Sequence, residues 1–251
     1  IGIGWQAIYG GTGDSHRNIG IGTSTLLRVT TGDDNAMIGY QAGNNITTGE
    51  YNVALGGNNL NNLATANANT AIGFNAGHET TTADNVWVGY QAGYHSESSG
   101  SVAIGKQSGY YPHGNLNTFV GFKAGMGNSS TTTATLNVGV GGNALLGVSS
   151  GGYNAVLGYS AGHNITTGGD NVLIGYQAGY TQSTATAATL IGYKAGYTNN
   201  ANSLVAIGKN AAYNNTSGGE NVVIGFQAAY SNQTSDQNTI IGYNAAQNMT
   251  A

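Results

Sequence analysis

The chain has no cysteine, one proline, and only 6% charged residues among its 251. Each shortage excludes something. Without cysteine there is no disulfide framework, no thiolate metal site and no cysteine nucleophile. Six basic residues cannot build the electrostatic track that nucleic acid requires. A net charge of -4 spread over the whole chain is no acidic tail. No uninterrupted apolar run approaches the ~20 residues needed to span a bilayer. Neither a nucleic-acid partner nor membrane insertion is therefore expected.

What the chain does have is glycine (43 residues), a 39% hydrophobic fraction and sixteen tyrosines. Disordered segments are usually poor in aliphatic and aromatic residues, so this composition points to an ordered but repetitive chain. A short phrase, Asn-Val-x-Ile-Gly-Tyr-x-Ala-Gly, recurs throughout, as at Asn35–Gly43, Asn85–Gly93 and Asn171–Gly179. The glycine after the aliphatic residue is a ruler. It recurs fifteen times, from Gly4, Gly22, Gly39 and Gly56 to Gly225 and Gly242, at spacings of 16 to 20 residues with a mean of 17. A unit this short cannot hold two helices, and interior glycine costs a helix ~1 kcal/mol per residue. The apolar residues of the phrase alternate, as a strand requires. The expected fold is all-β: a parallel β-solenoid of about fifteen rungs averaging 17 residues, a single repetitive domain over residues 1–251. At ~4.8 Å per rung the coil would run to roughly 70 Å.

Stacked rungs turn each repeat position into a column. The residue before the ruler glycine is always Ile, Val or Leu, and is expected to point inward. This structural ladder includes Ile38, Ile72, Ile104, Ile174, Ile191, Ile224 and Ile241, with the glycines Gly39, Gly73, Gly89, Gly175 and Gly242 beside it. Val53, Val86, Val172 and Val222, two residues earlier, should share that side. The column between them is also apolar, with Met37, Trp87, Phe119, Leu173, Leu190 and Ile240. A strand apolar on both faces is usually covered on both. That column is therefore the candidate self-association face, with coverage by the chain itself as the alternative.

After the ruler glycine runs an aromatic column (Trp5, Tyr40, Phe74, Tyr90), then an amide column (Gln6, Gln41, Asn75, Gln91). Stacked amides can hydrogen-bond from rung to rung. Tyr94, Tyr110, Tyr180 and Tyr197 are candidate surface contacts. Asn occurs four residues before the ruler glycine in eleven units, as at Asn35, Asn52 and Asn221, and is expected at a corner, where its tolerance of left-handed backbone helps. The ruler glycine itself should mark a close backbone approach or a corner. Variable turns such as Thr47-Thr48-Gly49 gather the length changes, and specific binding would live there.

Chemistry-bearing clusters are sparse in the pattern. The five histidines, His16, His78, His95, His113 and His163, fall into no metal-ligand spacing. The acids are scattered and lack the Gly-Gly-x-Gly-x-Asp array of calcium-binding solenoids. Gly10–Asp14 lacks the Lys-Ser/Thr ending of a phosphate loop. No cofactor, no metal and no enzymatic activity are expected. Seven Asn-x-Ser/Thr sequons, at Asn45, Asn128, Asn164, Asn214, Asn215, Asn232 and Asn248, cluster in the turns and would be exposed to glycosylation.

The phrase Ser101-Val102-Ala103-Ile104-Gly105 resembles the head repeat of trimeric autotransporter adhesins. The longer run Asn171-Val172-Leu173-Ile174-Gly175-Tyr176-Gln177-Ala178-Gly179-Tyr180 is similar to repeats of phage tail-fibre proteins. The resemblance covers nearly the whole chain. It implies a left-handed β-roll and three chains side by side. It also implies an extracellular place, on a virion tail fibre or a cell surface, with a glycan or protein receptor. The chain opens at Ile1 and closes at Ala251 inside repeat units, and reads as a segment of a longer fibre. The leading expectation is a structural, adhesive, trimeric fibre. A self-assembling end-to-end filament is the alternative, and an ice-binding solenoid a third reading that the irregular threonines disfavour.

Overall fold

The computed structural model describes residues 1–10, 13–111, 114–128 and 132–248. The fold is a parallel β-solenoid with fifteen strands and, among the described residues, no helix. The chain divides into two compact units, Ile1–Asn117 and Thr118–Ala251. Unit 1 holds β1 (Gly2–Ile3), β2 (Ile19–Ile21), β3 (Ala36–Ile38), β4 (Val53–Leu55), β5 (Thr70–Ile72), β6 (Val86–Val88) and β7 (Val102–Ile104). Unit 2 holds β8 (Thr118–Val120), β9 (Val138–Val140), β10 (Ala155–Leu157), β11 (Val172–Ile174), β12 (Thr189–Ile191), β13 (Val205–Ile207), β14 (Val222–Ile224) and β15 (Thr239–Ile241). Within each unit every strand pairs in parallel with its sequence neighbours, and equivalent repeat positions face each other: Met37 with Ala54, Leu173 with Leu190.

Hydrogen bonds between rungs continue well beyond the strands. Gly39 donates to the Ile21 carbonyl at 2.8 Å, Gln41 to Thr23 at 2.9 Å, Gly43 to Asn59 at 2.9 Å and Thr47 to Ala64 at 2.8 Å. The ruler glycine makes this stacking fit. At Gly56 φ is +132°, outside the range of L side chains, and a Cβ there would lie 2.3 Å from the carbonyl oxygen of Gly73 in the next rung. Both readings of the ruler, close approach and corner, hold together.

The inside and outside of the strand are the reverse of the sequence expectation. The middle residue of each strand points inward. Met37, Trp87, Leu173 and Leu190 are completely buried, and Phe119 and Ile240 nearly so. These six are core of a single chain and cannot form a self-association face. The column before the ruler glycine points out: Ile38, Ile72, Ile104 and Ile174 are 38–40% exposed, Ile241 is 64% exposed, and Ile191 and Ile224 are half-buried. The ladder is real, but it lines the exterior.

The reason is visible in residue size. Middle-column chains of leucine size stack directly, as Leu173 on Leu190, but the two largest rings have small neighbours. Trp87 pairs with Ala71 on one side and Ala103 on the other, and Phe119 pairs with Gly139. Gly93, with φ +59°, leaves the space beside Trp87, where a Cβ would come within 2.4 Å of the indole. The interior is completed by an alanine column three residues after the ruler glycine (Ala42, Ala92, Ala178, Ala195). Four residues further on, Ile46, Leu63, Val148 and Ile165 also point inward.

The two polar columns also exchange roles. The Asn column is not the corner. Asn35, Asn52, Asn69 and Asn85 are buried, and they form the amide ladder. Asn52 donates from its backbone and side chain to Asn35 Oδ1 (3.0 and 3.1 Å), and from Nδ2 to the Ala66 carbonyl (3.0 Å); its own Oδ1 accepts from Asn69 (3.0 and 3.2 Å). The left-handed corner falls one residue earlier, at Asp34, Tyr51, Ala68 and Asp84, and again at the outer amide column, Gln41, Asn58, Asn75 and Gln91. Buried backbone groups must be paired, and asparagine offers the donor and acceptor that the interior needs.

Two stability measurements check this arrangement. Leu173→Ala should cost ~2–5 kcal/mol and the adjacent Ile174→Ala much less, read as urea midpoints; the opposite ranking contradicts the assignment of faces. Asn52→Ala leaves ladder partners unpaired in both neighbouring rungs and should cost about 1–3 kcal/mol, whereas an exposed corner residue would cost almost nothing.

Candidate functional site

The outer strand face presents a repeated run of exposed aliphatic and aromatic side chains to solvent. Its two outward columns are mostly Val, Ile and Thr. Beside them stands the first aromatic column, with Tyr40 56%, Tyr159 53% and Tyr176 42% exposed. The rings stack because the rungs do: Tyr159 on Tyr176 at 5.8 Å and Tyr176 on Tyr193 at 5.2 Å, within 11° of parallel. Contiguous apolar patches beyond a few hundred Å² are rare on monomeric proteins and mark interaction sites.

The charges flank this face. All four lysines lie in the two positions after the ruler glycine: Lys106 and Lys209 in the first, Lys123 and Lys194 in the second. Their ammonium groups lie over rings, Lys194 at 5.6 Å from Tyr193 and 5.2 Å from Tyr197, Lys209 at 5.5 Å from Tyr193 and 5.8 Å from Phe226. Most acids sit in the turn before the strand: Asp33, Asp34, Glu50 and Asp84 in unit 1, and Asp170, Glu220 and Asp236 in unit 2. Arg17 shares that turn in unit 1. Its guanidinium donates to Asp34 at 2.5 and 2.8 Å, which holds the Asp34 carboxyl below its ordinary range. In unit 2 a polar cleft of about 290 Å³ opens among Asn202, Ser203, Ser217, Gly219, Glu220, Asp236 and Gln237.

A second aromatic column stands five residues after the ruler glycine. In unit 1 it runs His78, Tyr94, Tyr110 at 5.0 and 5.2 Å. In unit 2 it runs His163, Tyr180, Tyr197, Tyr213, Tyr230 at 4.8 to 5.2 Å. The four candidate contact tyrosines, Tyr94, Tyr110, Tyr180 and Tyr197, all belong to it. They are half-buried, with ring faces against one another. Burial raises the phenol pKa of Tyr94, Tyr110 and Tyr197. Tyr213 and Tyr230 complete the column; their common distance from the ruler glycine was the signal for them. Beside it in unit 1, His95 bonds Glu79 and stacks on Tyr111 at 5.0 Å.

His113 lies outside the described residues. Among the described residues no group of three His, Cys, Asp or Glu is placed to hold a metal, and no helix is long and apolar enough to cross a membrane. Two sequons are not exposed as expected. Asn215 and Asn232 are buried, and Asn215 is bound to Asn199 and Gly218 at 2.9 Å, because that column points inward. Asn45, Asn164 and Asn214 are half-buried.

No protein-family model, curated protein sequence or solved structure matches the chain.

The half-buried His78 generates a pH prediction. Burial is the main cause that lowers its pKa, His95 adds to the lowering and Glu79 opposes it. The unfolded chain then takes up a proton more readily than the folded one. Stability should be complete above the ordinary histidine range and fall as pH drops through and below about 6.5. Urea midpoints between about pH 7.5 and 5 should show this slope, and His78→Phe, which keeps the ring stack, should flatten it.

Proposed function

We propose that this chain is a structural and adhesive fibre segment. Copies associate through the outer strand face, most simply as a trimer, and the assembly displays its turns and aromatic columns to a cell-surface glycan or protein receptor. The observation that carries this is the aliphatic and aromatic outer face, repeated rung after rung over a core that is already closed within one chain. A soluble single chain would place polar residues there. The work of such a protein is mechanical. Each rung is tied to its neighbours by backbone hydrogen bonds around the coil, so the surface columns are held at fixed spacing. The resemblance to adhesin-head and tail-fibre repeats supports the same reading and suggests an extracellular place, on a virion or a cell surface.

Native mass by light scattering, at two concentrations, tests it. The expected result is three times the 25.4 kDa chain mass, unchanged on dilution. A clean monomer contradicts the reading. A very large, concentration-dependent mass favours the filament instead.

A further inference from the structure

We propose that copies of this chain pack parallel and in register, the lysine edge of unit 2 in one copy meeting the acidic edge of unit 2 in the next. This rests on the self-association reading and specifies its geometry. Unit 2 contains three lysines, three acids and no arginine. The segregation of these charges is complete. Lys123, Lys194 and Lys209 all follow their strands, and Asp170, Glu220 and Asp236 all precede theirs. The exposed apolar face lies between the two edges. Among the described residues no lysine makes an ion pair within the chain. Lys194 and Lys209 rest on rings of the first aromatic column, Lys194 also on Tyr197 of the second, and the carboxylates are exposed, with Glu220 bound to Gln237 at 2.9 Å and Asp236 to the Gly219 backbone at 2.7 Å.

This pattern selects among packings. Turning one face onto another about an axis along the coil keeps the chains parallel and brings each lysine edge against an acidic edge. Turning it about an axis across the coil makes the chains antiparallel and brings acid against acid, lysine against lysine. Like charges placed together across an interface are costly, and opposite ones set register. The levels agree with the parallel case. Lys194 belongs to the rung of β12 and Asp170 to that of β11; Lys209 belongs to β13 and Glu220 to β14. In register, Lys194 and Lys209 each stand one rung, ~4.8 Å along the coil, from the level of a partner carboxylate, within reach of a flexible stem, whereas Lys123, on the rung of β8, lies three rungs from Asp170 and has no such partner.

The test mixes isotope-labelled and unlabelled chains and treats them with a zero-length carbodiimide. Isotope-mixed peptides joining Lys194 to Asp170 and Lys209 to Glu220 are expected. In parallel, the Lys194→Glu/Lys209→Glu double variant should weaken association about tenfold. Adding Asp170→Lys and Glu220→Lys should restore it, with circular dichroism showing each variant folded. An unchanged dissociation midpoint for the first double variant in a dilution series, or an oligomer lacking these cross-links, overturns the geometry and leaves self-association standing. A monomeric wild-type chain overturns both.

Discussion

Everything in this fold depends on how closely one rung can approach the next. The backbone hydrogen bonds that join rungs run through strands and turns alike, and they require carbonyl and amide groups to meet with nothing between them. The ruler glycine is where that condition is tightest. Its backbone is left-handed, and the space its missing Cβ would fill holds the carbonyl of the next glycine. This explains why the residue never varies while the turns around it change length. It also explains the ring columns. Tyrosines stack at about 5 Å because the rungs beneath them are fixed at that distance.

With the interior closed by the chain's own side chains, the outer face carries the functional meaning. Its apolar columns are not required by the core, which is complete without them. A column of isoleucines held out to solvent in rung after rung is a recurring cost to solubility. In the proposed assembly, contact with other copies would offset it, and the segregation of charge to opposite edges of the face would give that contact a direction. The half-buried tyrosines of the second column lie beyond the lysine edge, where Tyr197 also carries the Lys194 ammonium at 5.2 Å. Their covered ring faces favour packing over sugar stacking.

The period, the strand position, the glycine ruler and the stacking of equivalent residues were all legible in the sequence, because each is a property of repetition alone. Which face points inward was not. Alternation tells that Met37 and Ile38 face opposite ways; it does not tell which of them is inside. The uniform column, Ile38 to Ile241, looked like a core. Uniformity is not the signature of a packed interior, though. Compensation is: Ala71, Trp87 and Ala103 in successive rungs trade volume, as neighbours in a closed space must. The same error of side assigned Asn35 to a corner, when its column alternates with the exterior and lies inside. The alanine of the Tyr-x-Ala-Gly phrase, which is completely buried, carried a signal that went unread because alanine suggests no chemistry. The second aromatic column was legible only as four of its tyrosines.

The absence of cysteine makes the assignment of faces directly measurable. Single cysteines introduced at Ala103 and at Ile104 differ by one position in one strand. Maleimide labelling of the folded protein should leave the thiol at position 103 unreactive until the chain is unfolded, whether or not copies associate. The thiol at 104 should react freely in any single-chain population and be protected only as far as the oligomer covers it. Rapid labelling of the folded chain at 103, with 104 inert in a monomer, would contradict the account.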